Sequence, residues 1–278
     1  MIPPIARNFV AGTTGPRALD HVADLNEDDV GGILNLLGEH YSKRPPADED
    51  ADEYVSLVDA IAESDLDCCI SVKPSQIGLD VGDEVFVENL ERIVTAADEH
   101  GIFTWVDMED HDTTDVTLDA FEKLTLETDG NVGVCVQANL KRTPEDLERL
   151  ADLPGKVRLV KGAYAPPKSI AYRDRARVTE IYKDLLEEMF QTFDDGIAVG
   201  SHDPAMIAHA KQLHDEYGTD FEVQMLMGVR EDAQRDLARD GYRTWQYVPY
   251  GDKWFSYFYR RVRERKENAL FAIRAVLS

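Results

Sequence analysis

Eight short apolar runs, each followed by a polar loop and then a helical pattern, constrain this chain more than any other feature. They are Gly32 to Leu37, Cys68 to Lys73, Ile102 to Asp107, Val132 to Gln137, Val157 to Lys161, Ile197 to Ser201, Phe221 to Leu226 and Thr244 to Val248. Runs of this length, rich in β-branched residues and bounded by turn residues, read as parallel strands buried on both faces. Between them, Val55, Val58 and Ile61 fall on one helical face, as do Leu90, Ile93, Val94 and Ala97, and then Val178, Ile181, Leu185, Met189 and Phe190. Thr143-Pro144 reads as a capped helix start with Pro in the first position, and Asp203-Pro204 as another. The alternation predicts an α/β fold, a (βα)8 barrel, with a doubly wound open sheet as the alternative. No repeat, linker or shift in composition divides the chain. One barrel domain over 1–278 is expected, with 1–31 as a helical lead-in and 252–278 as a C-terminal substrate-binding helix.

Charge narrows the partners. The 278 residues carry 54 acidic and 30 basic side chains, a formal net charge of -24. Such a surface repels nucleic acid before contact forms. Single acidic runs, such as Pro46 to Glu53, read as solvated faces. The global excess suits a salt-rich cytoplasm, where screening quiets self-repulsion. The three cysteines, Cys68, Cys69 and Cys135, lack zinc or disulfide spacing and read as buried strand residues in a reducing compartment; no metal is expected. Residues 1–7 hold no long apolar stretch and no run is long enough to span a bilayer, so neither a secretory leader nor a membrane anchor is expected.

In a barrel, chemistry collects at the C-terminal ends of the strands. There this sequence places Lys73, Asp107, Gln137, Arg158, Lys161, Ser201, His202, Gln224 and Tyr247. Arg158 and Lys161 lie in an otherwise apolar strand and need a countercharge, either Asp107 or an anionic ligand. Gly162 lets backbone approach a ligand closely. Ser201-His202-Asp203 is not a catalytic triad, because sequence neighbours point apart. The helix start at Asp203-Pro204 is instead a polar-ligand site, with His202 either touching the ligand or simply hydrogen-bonded in a loop. Any nucleotide must be held by the rim, since no Gly-rich dinucleotide fingerprint occurs. Near the C-terminus, Tyr257, Arg260, Arg261 and Glu264 share a helical face. Adjacent guanidiniums make a carboxylate fork that Glu264 can orient; ordinary surface ion pairs are the alternative. The neighbouring aromatics suit a small substrate with a carboxylate and a saturated ring.

These residues resemble the proline dehydrogenases over nearly the whole chain. The resemblance rests on Val157-Arg158-Leu159-Val160-Lys161-Gly162-Ala163-Tyr164, with Asp107-Met108-Glu109, Gln137-Ala138, Ser201-His202, Gln224-Met225-Leu226, Tyr247 and the Tyr257, Arg260, Arg261, Glu264 set. It implies a distorted TIM-type barrel with the final helix over the C-terminal mouth of the strands. It implies FAD as cofactor and oxidation of L-proline to Δ1-pyrroline-5-carboxylate, with hydride passing from proline C5 to flavin N5. Lys73, Arg260 and Arg261 would hold the substrate carboxylate, while Tyr164, Leu226, Tyr247, Tyr257 and Ala163 shape the ring pocket. Asp107 and Arg158 would stand at the chemistry. Met108, Gln137, Arg158, Val160, Lys161, Gly162, Ala163, Ser201, His202, Gln224 and Glu264 would contact FAD. A quinone acceptor is implied, and with it peripheral contact with the inner face of a membrane. Coupling to a pyrroline-5-carboxylate dehydrogenase is also expected. The family has Asn where Asp203 stands and commonly an aromatic where Asn139 stands, so no contact is carried over to Asp203. The rival activities are a Schiff-base aldolase built on Lys161 and another flavin barrel, such as a methylenetetrahydrofolate reductase, which gives no reason for the paired arginines.

The salt-rich reading predicts a thermal midpoint that climbs as KCl goes from dilute buffer to about 1 M, where the screening length falls from ~10 Å or more to ~3 Å. Full stability without added salt would contradict it.

Overall fold

The computed structural model describes residues 8–163, 166–255, 257 and 259. Eight parallel strands close into a barrel in chain order, and the eight helices α1 to α8 lie outside it. The strands are β1 (Gly31–Leu36), β2 (Cys68–Val72), β3 (Thr104–Val106), β4 (Val132–Gln137), β5 (Lys156–Val160), β6 (Ile197–Gly200), β7 (Phe221–Leu226) and β8 (Arg243–Tyr250). The helices are α1 (Gly15–Asn26), α2 (Arg44–Ala62), α3 (Asp83–Glu99), α4 (Thr114–Glu127), α5 (Thr143–Leu150), α6 (Arg175–Thr192), α7 (Pro204–Tyr217) and α8 (Glu231–Arg239). β8 pairs with β1 from Gly31 opposite Trp245 to Leu36 opposite Tyr250, which excludes the open sheet.

Every expected strand is present, though β3 is shorter than its apolar run. Because strand side chains alternate, the runs serve two cores. Leu34, Ile70, Val106, Val134, Leu159, Val199, Val223 and Val248 pack outward under the helices. Ile33, Cys69, Trp105, Ala198 and Trp245 form a separate cluster, their inward positions falling one residue out of step. Two indoles fill the barrel because the strands beside them carry glycine. A side chain at Gly31 would collide with the Trp245 ring, and one at Gly133 with the Trp105 ring.

The helical faces read from the sequence are the buried ones on α3, where Leu90, Ile93, Val94 and Ala97 are all covered. Two expectations change. Thr143 is not a cap: α5 already runs from Thr143, and its hydroxyl donates to the Gln137 carbonyl at 2.5 Å. Cys68 is only half-buried, whereas Cys69 and Cys135 are buried. Asp203 does cap α7, its Oδ1 accepting from the Ala205 N–H at 3.0 Å.

After β8 the chain turns into helical residues at Trp254. Tyr257 packs there against Phe9, Val10 and Leu37, the last lying one residue beyond the C-terminal end of β1. The start of the final helix therefore sits at the C-terminal mouth. Among the described residues no helix is long and apolar enough to cross a membrane.

Substituting Gly31→Val forces a branched side chain into the Trp245 ring, so the urea midpoint should fall by the equivalent of about 1–3 kcal/mol. An unchanged midpoint would mean that the indole layer is loosely packed.

Candidate active site

The C-terminal end of the barrel gathers side chains from three strands around one carboxylate supplied by a fourth. Asp107 follows β3 and Lys73 follows β2; Ser71, Arg158 and Tyr247 lie on β2, β5 and β8. Alternation turns all five inward. Asp107 Oδ1 accepts from Ser71 Oγ at 2.7 Å and from Arg158 Nη2. Asp107 Oδ2 accepts from Lys73 Nζ at 2.7 Å and from the Tyr247 hydroxyl at 2.7 Å. Both oxygens are thus filled, with two donors each.

The electrostatics follow from this arrangement. Burial alone would raise the Asp107 pKa, but the charges of Lys73 and Arg158 outweigh it and hold the carboxyl below the usual carboxylate range. Burial would also lower the Arg158 pKa, yet the facing Asp107 carboxylate lifts it above its ordinary value. Tyr247 is pushed well above the ordinary phenol value, first by burial and then by the Asp107 charge, so it remains a donor. Lys73, Asp107 and Arg158 together carry one net positive charge, a setting that favours an anionic ligand inside a strongly acidic protein.

Beneath this group, the Arg158 guanidinium lies over the Trp105 ring, 4.9 Å from its centre. Its Nη1 donates to Gln224 Oε1 at 2.9 Å. Both ends of the Gln224 amide are engaged within the barrel, since its Nε2 donates to Glu222 Oε1 at 2.6 Å. Sequence reading missed Ser71, Trp105, Glu222 and Lys156, whose Nζ donates to Glu222 Oε2 at 2.6 Å. A signal was available, because Glu222 and Gln224 are two apart on one strand and so share its inner face.

A second region opens beside β5 and β6. Asn139, Lys161, Gly162, Arg173, Arg175 and Asp203 line a cavity of about 740 Å³. Gly162 has φ near 101°, and a side chain there would strike the Asn139 amide. Among the described residues, Asn139 Oδ1 is buried and accepts no hydrogen bond. Lys161 Nζ donates to Thr179 Oγ1 at 3.0 Å and to Asp203 Oδ2 at 2.9 Å. Arg158 and Lys161 thus have different countercharges, Asp107 and Asp203. The cationic side chains of Lys161, Arg173 and Arg175 suit the anionic part of a large cofactor such as FAD, and the Asn139 amide oxygen would accept from a hydroxyl or amine of it.

The remaining expected residues sort by place. Gln137 is buried, its Nε2 donating to the Glu109 carbonyl at 2.9 Å. His202 Nε2 accepts from the Leu226 N–H at 2.8 Å, which in the neutral ring puts the proton on Nδ1. Ser201 Oγ accepts from the Asp203 N–H at 3.2 Å. Met108 is buried, Val160 and Leu226 are half-buried, and Ala163 is exposed. Tyr164, Arg260, Arg261 and Glu264 lie outside the described residues. Among the described residues no group of three or more His, Cys, Asp or Glu side chains is arranged to hold a metal ion.

Comparison with known proteins bears on this geometry. A family model described as "Proline dehydrogenase" matches residues 18–274. The chain is 37% identical over 275 residues to "Proline dehydrogenase 1" of Bacillus subtilis (strain 168), covering 98% of this chain and 90% of that protein. It is 38% identical over 282 residues to "Proline dehydrogenase" of Deinococcus radiodurans, again covering 98% and 90%. Among solved structures it is similar in fold to proline utilization A from Bdellovibrio bacteriovorus inactivated by N-propargylglycine. There the TM-score is 0.85 at 22% identity, over 92% of this chain and 32% of that longer one.

Asp107→Asn removes the countercharge of buried Arg158 and half-buried Lys73 and should destabilise the fold by about 3–5 kcal/mol at neutral pH. The native carboxyl titrates below its unfolded value of ~3.9, so its contribution is complete above about pH 5 and is lost as pH falls below that value. Denaturant melts of parent and variant should therefore converge as the pH drops below about 4. A gap that is constant with pH would contradict the charge argument.

Proposed function

The chain belongs to the proline dehydrogenase family, enzymes of proline oxidation in proline catabolism, and we propose that it converts L-proline to Δ1-pyrroline-5-carboxylate with FAD as bound oxidant. The observation that carries this reading is the Asp107 cluster. It provides a site with a net positive charge for a carboxylate, and the cavity lined by Lys161, Arg173 and Arg175 suits an anionic cofactor.

In this reading Lys73, with Arg260 and Arg261, holds the proline carboxylate. Asp107 supplies Lys73 with its countercharge and points its Nζ from one side. Tyr247 and Leu226, with Tyr257, Ala163 and Tyr164, enclose the ring and keep water away. Arg158, fixed by Asp107, Gln224 and the Trp105 face, would stand at the chemistry. Lys161 and Gly162, with Met108, Gln137, Val160, Ser201, His202, Gln224 and Glu264, would hold the cofactor. FAD, when bound, supplies the hydride acceptor. The protein's share is alignment of donor and acceptor, charge placement and exclusion of water. Lys161 gives no support to a Schiff-base aldolase, since its Nζ is occupied by Asp203 and Thr179.

A quinone takes the electrons onward, at the inner face of a membrane that the protein touches peripherally. The cyclic imine product then passes, after ring opening, to a pyrroline-5-carboxylate dehydrogenase.

Purified protein with FAD, L-proline and a redox dye should reduce the dye only when proline is present, and N-propargylglycine should abolish that activity. No proline-dependent reduction in either low or high salt would defeat the reading. Arg260→Met or Arg261→Met should raise the KM for proline roughly 10- to 150-fold, the equivalent of one charged hydrogen bond worth ~1.5–3 kcal/mol. An unchanged KM would place the carboxylate fork elsewhere.

A further inference from the structure

The inside of the barrel holds another buried carboxylate that these roles do not use. Glu222 is 4% exposed and lies on β7, two residues before Gln224. Its Oε2 accepts from Lys156 Nζ at 2.6 Å, and Lys156 lies on β5, two residues before Arg158. Two residues of β5 and two of β7 therefore form one chain: Lys156, Glu222, Gln224 and Arg158. β6 lies between these strands, and at its inward positions it carries only Ala198 and Gly200, opposite Arg158 and Gln224. A side chain at Gly200 would press on Arg158 Cγ at 3.3 Å. Small residues on β6 let the side chains of β5 and β7 meet across it.

The chemistry of the chain permits one arrangement. A glutamine amide has a donor end and an acceptor end of nearly equal size, and a half-turn exchanges them. Arg158 has only donors, and an ionised Glu222 has only acceptors. With the amide carbonyl toward Arg158 and the NH2 toward Glu222, both contacts are made. The reversed amide would set NH2 against guanidinium and carbonyl against carboxylate, losing both bonds in a buried place. Lys156 balances the Glu222 charge, which would otherwise be costly to bury.

We propose that Glu222 is a positioning residue for Arg158, acting through Gln224. By fixing which end of the amide faces β5, it holds the guanidinium in one plane between Gln224 and Asp107, over the Trp105 ring. The proposal rests on the proposed function, in which Arg158 stands at the chemistry. A purely structural role, in which Glu222 and Lys156 merely fill the barrel, is the competing account.

The test is a double-mutant cycle on flavin-loaded enzyme with Glu222→Gln and Gln224→Met, each of similar size to the residue it replaces. The readouts are kcat and KM for proline, the visible absorption spectrum of the bound flavin and its midpoint potential. In Glu222→Gln the charged acceptor is lost and the new amide can offer either of its ends, so Gln224 keeps only the weaker selection that Arg158 imposes. Glu222→Gln should lower kcat about tenfold, the equivalent of ~1.4 kcal/mol, with KM within about twofold and a displaced flavin spectrum and potential. In the Gln224→Met background the same substitution should add almost nothing, because the coupling runs through that amide. Multiplicative effects on kcat would overturn the proposal. So would a variant with a lower melting temperature but unaltered kcat, spectrum and potential per bound flavin, as a structural role requires. Should Glu222→Gln fold poorly, the cycle is run in Lys156→Met protein, where both charges are removed together and the same non-additivity is expected. A parent enzyme inactive with proline would defeat the functional reading; an active parent with an unaffected Glu222→Gln variant defeats only this inference.

Discussion

A single carboxylate, buried at the end of β3 and fed by four donors, is the interaction on which the rest of the site depends. Asp107 is costly to bury by itself, and so are Lys73 and Arg158. Each is tolerated because the others are there. The same contacts orient them: an oxygen that already accepts from Tyr247 leaves Lys73 one direction of approach. Charge compensation and geometry are therefore supplied by the same hydrogen bonds, and one positive charge is left over.

The barrel makes that cluster possible by separating two tasks along each strand. Outward residues of β1 to β8 build the hydrophobic layer beneath the helices, and the inward ones are released for other work. Toward the middle of the barrel that work is packing, with Trp105 and Trp245 seated over Gly133 and Gly31. Toward the mouth it is polar. Trp105 belongs to both zones, since it fills the interior and gives Arg158 a flat face.

Outside, the acidic excess is met by arginines that each reach carboxylates of neighbouring elements. Arg44 pairs with Asp48 and Glu88, Arg149 with Asp119 and Glu122, and Arg243 with Asp67. Exposed pairs of this kind contribute little individually. Their relevance here is contrast: the basic side chains at the mouth and along the cavity of β5 and β6 stand out in a negative molecule, and their field favours anions at one end of the barrel.

The eight strands, their burial on both faces and the polar residues at their ends were legible from the chain alone, because periodicity and strand-end position are local properties. Arg158 could be seen to need a countercharge. That the countercharge is Asp107, 51 positions away, and that Lys161 instead takes Asp203, depended on closure of the barrel. Thr143 illustrates the same limit on a small scale: its sequence context suits a cap, yet the nearby Gln137 carbonyl claims its hydroxyl. Glu222 was passed over for a related reason. A two-residue period tells which face a side chain occupies, but only the small residues of β6 decide that the faces of β5 and β7 touch. Sequence sets what each strand presents inward; the tertiary structure, by closing the sheet and choosing the neighbours, sets which of those groups meet.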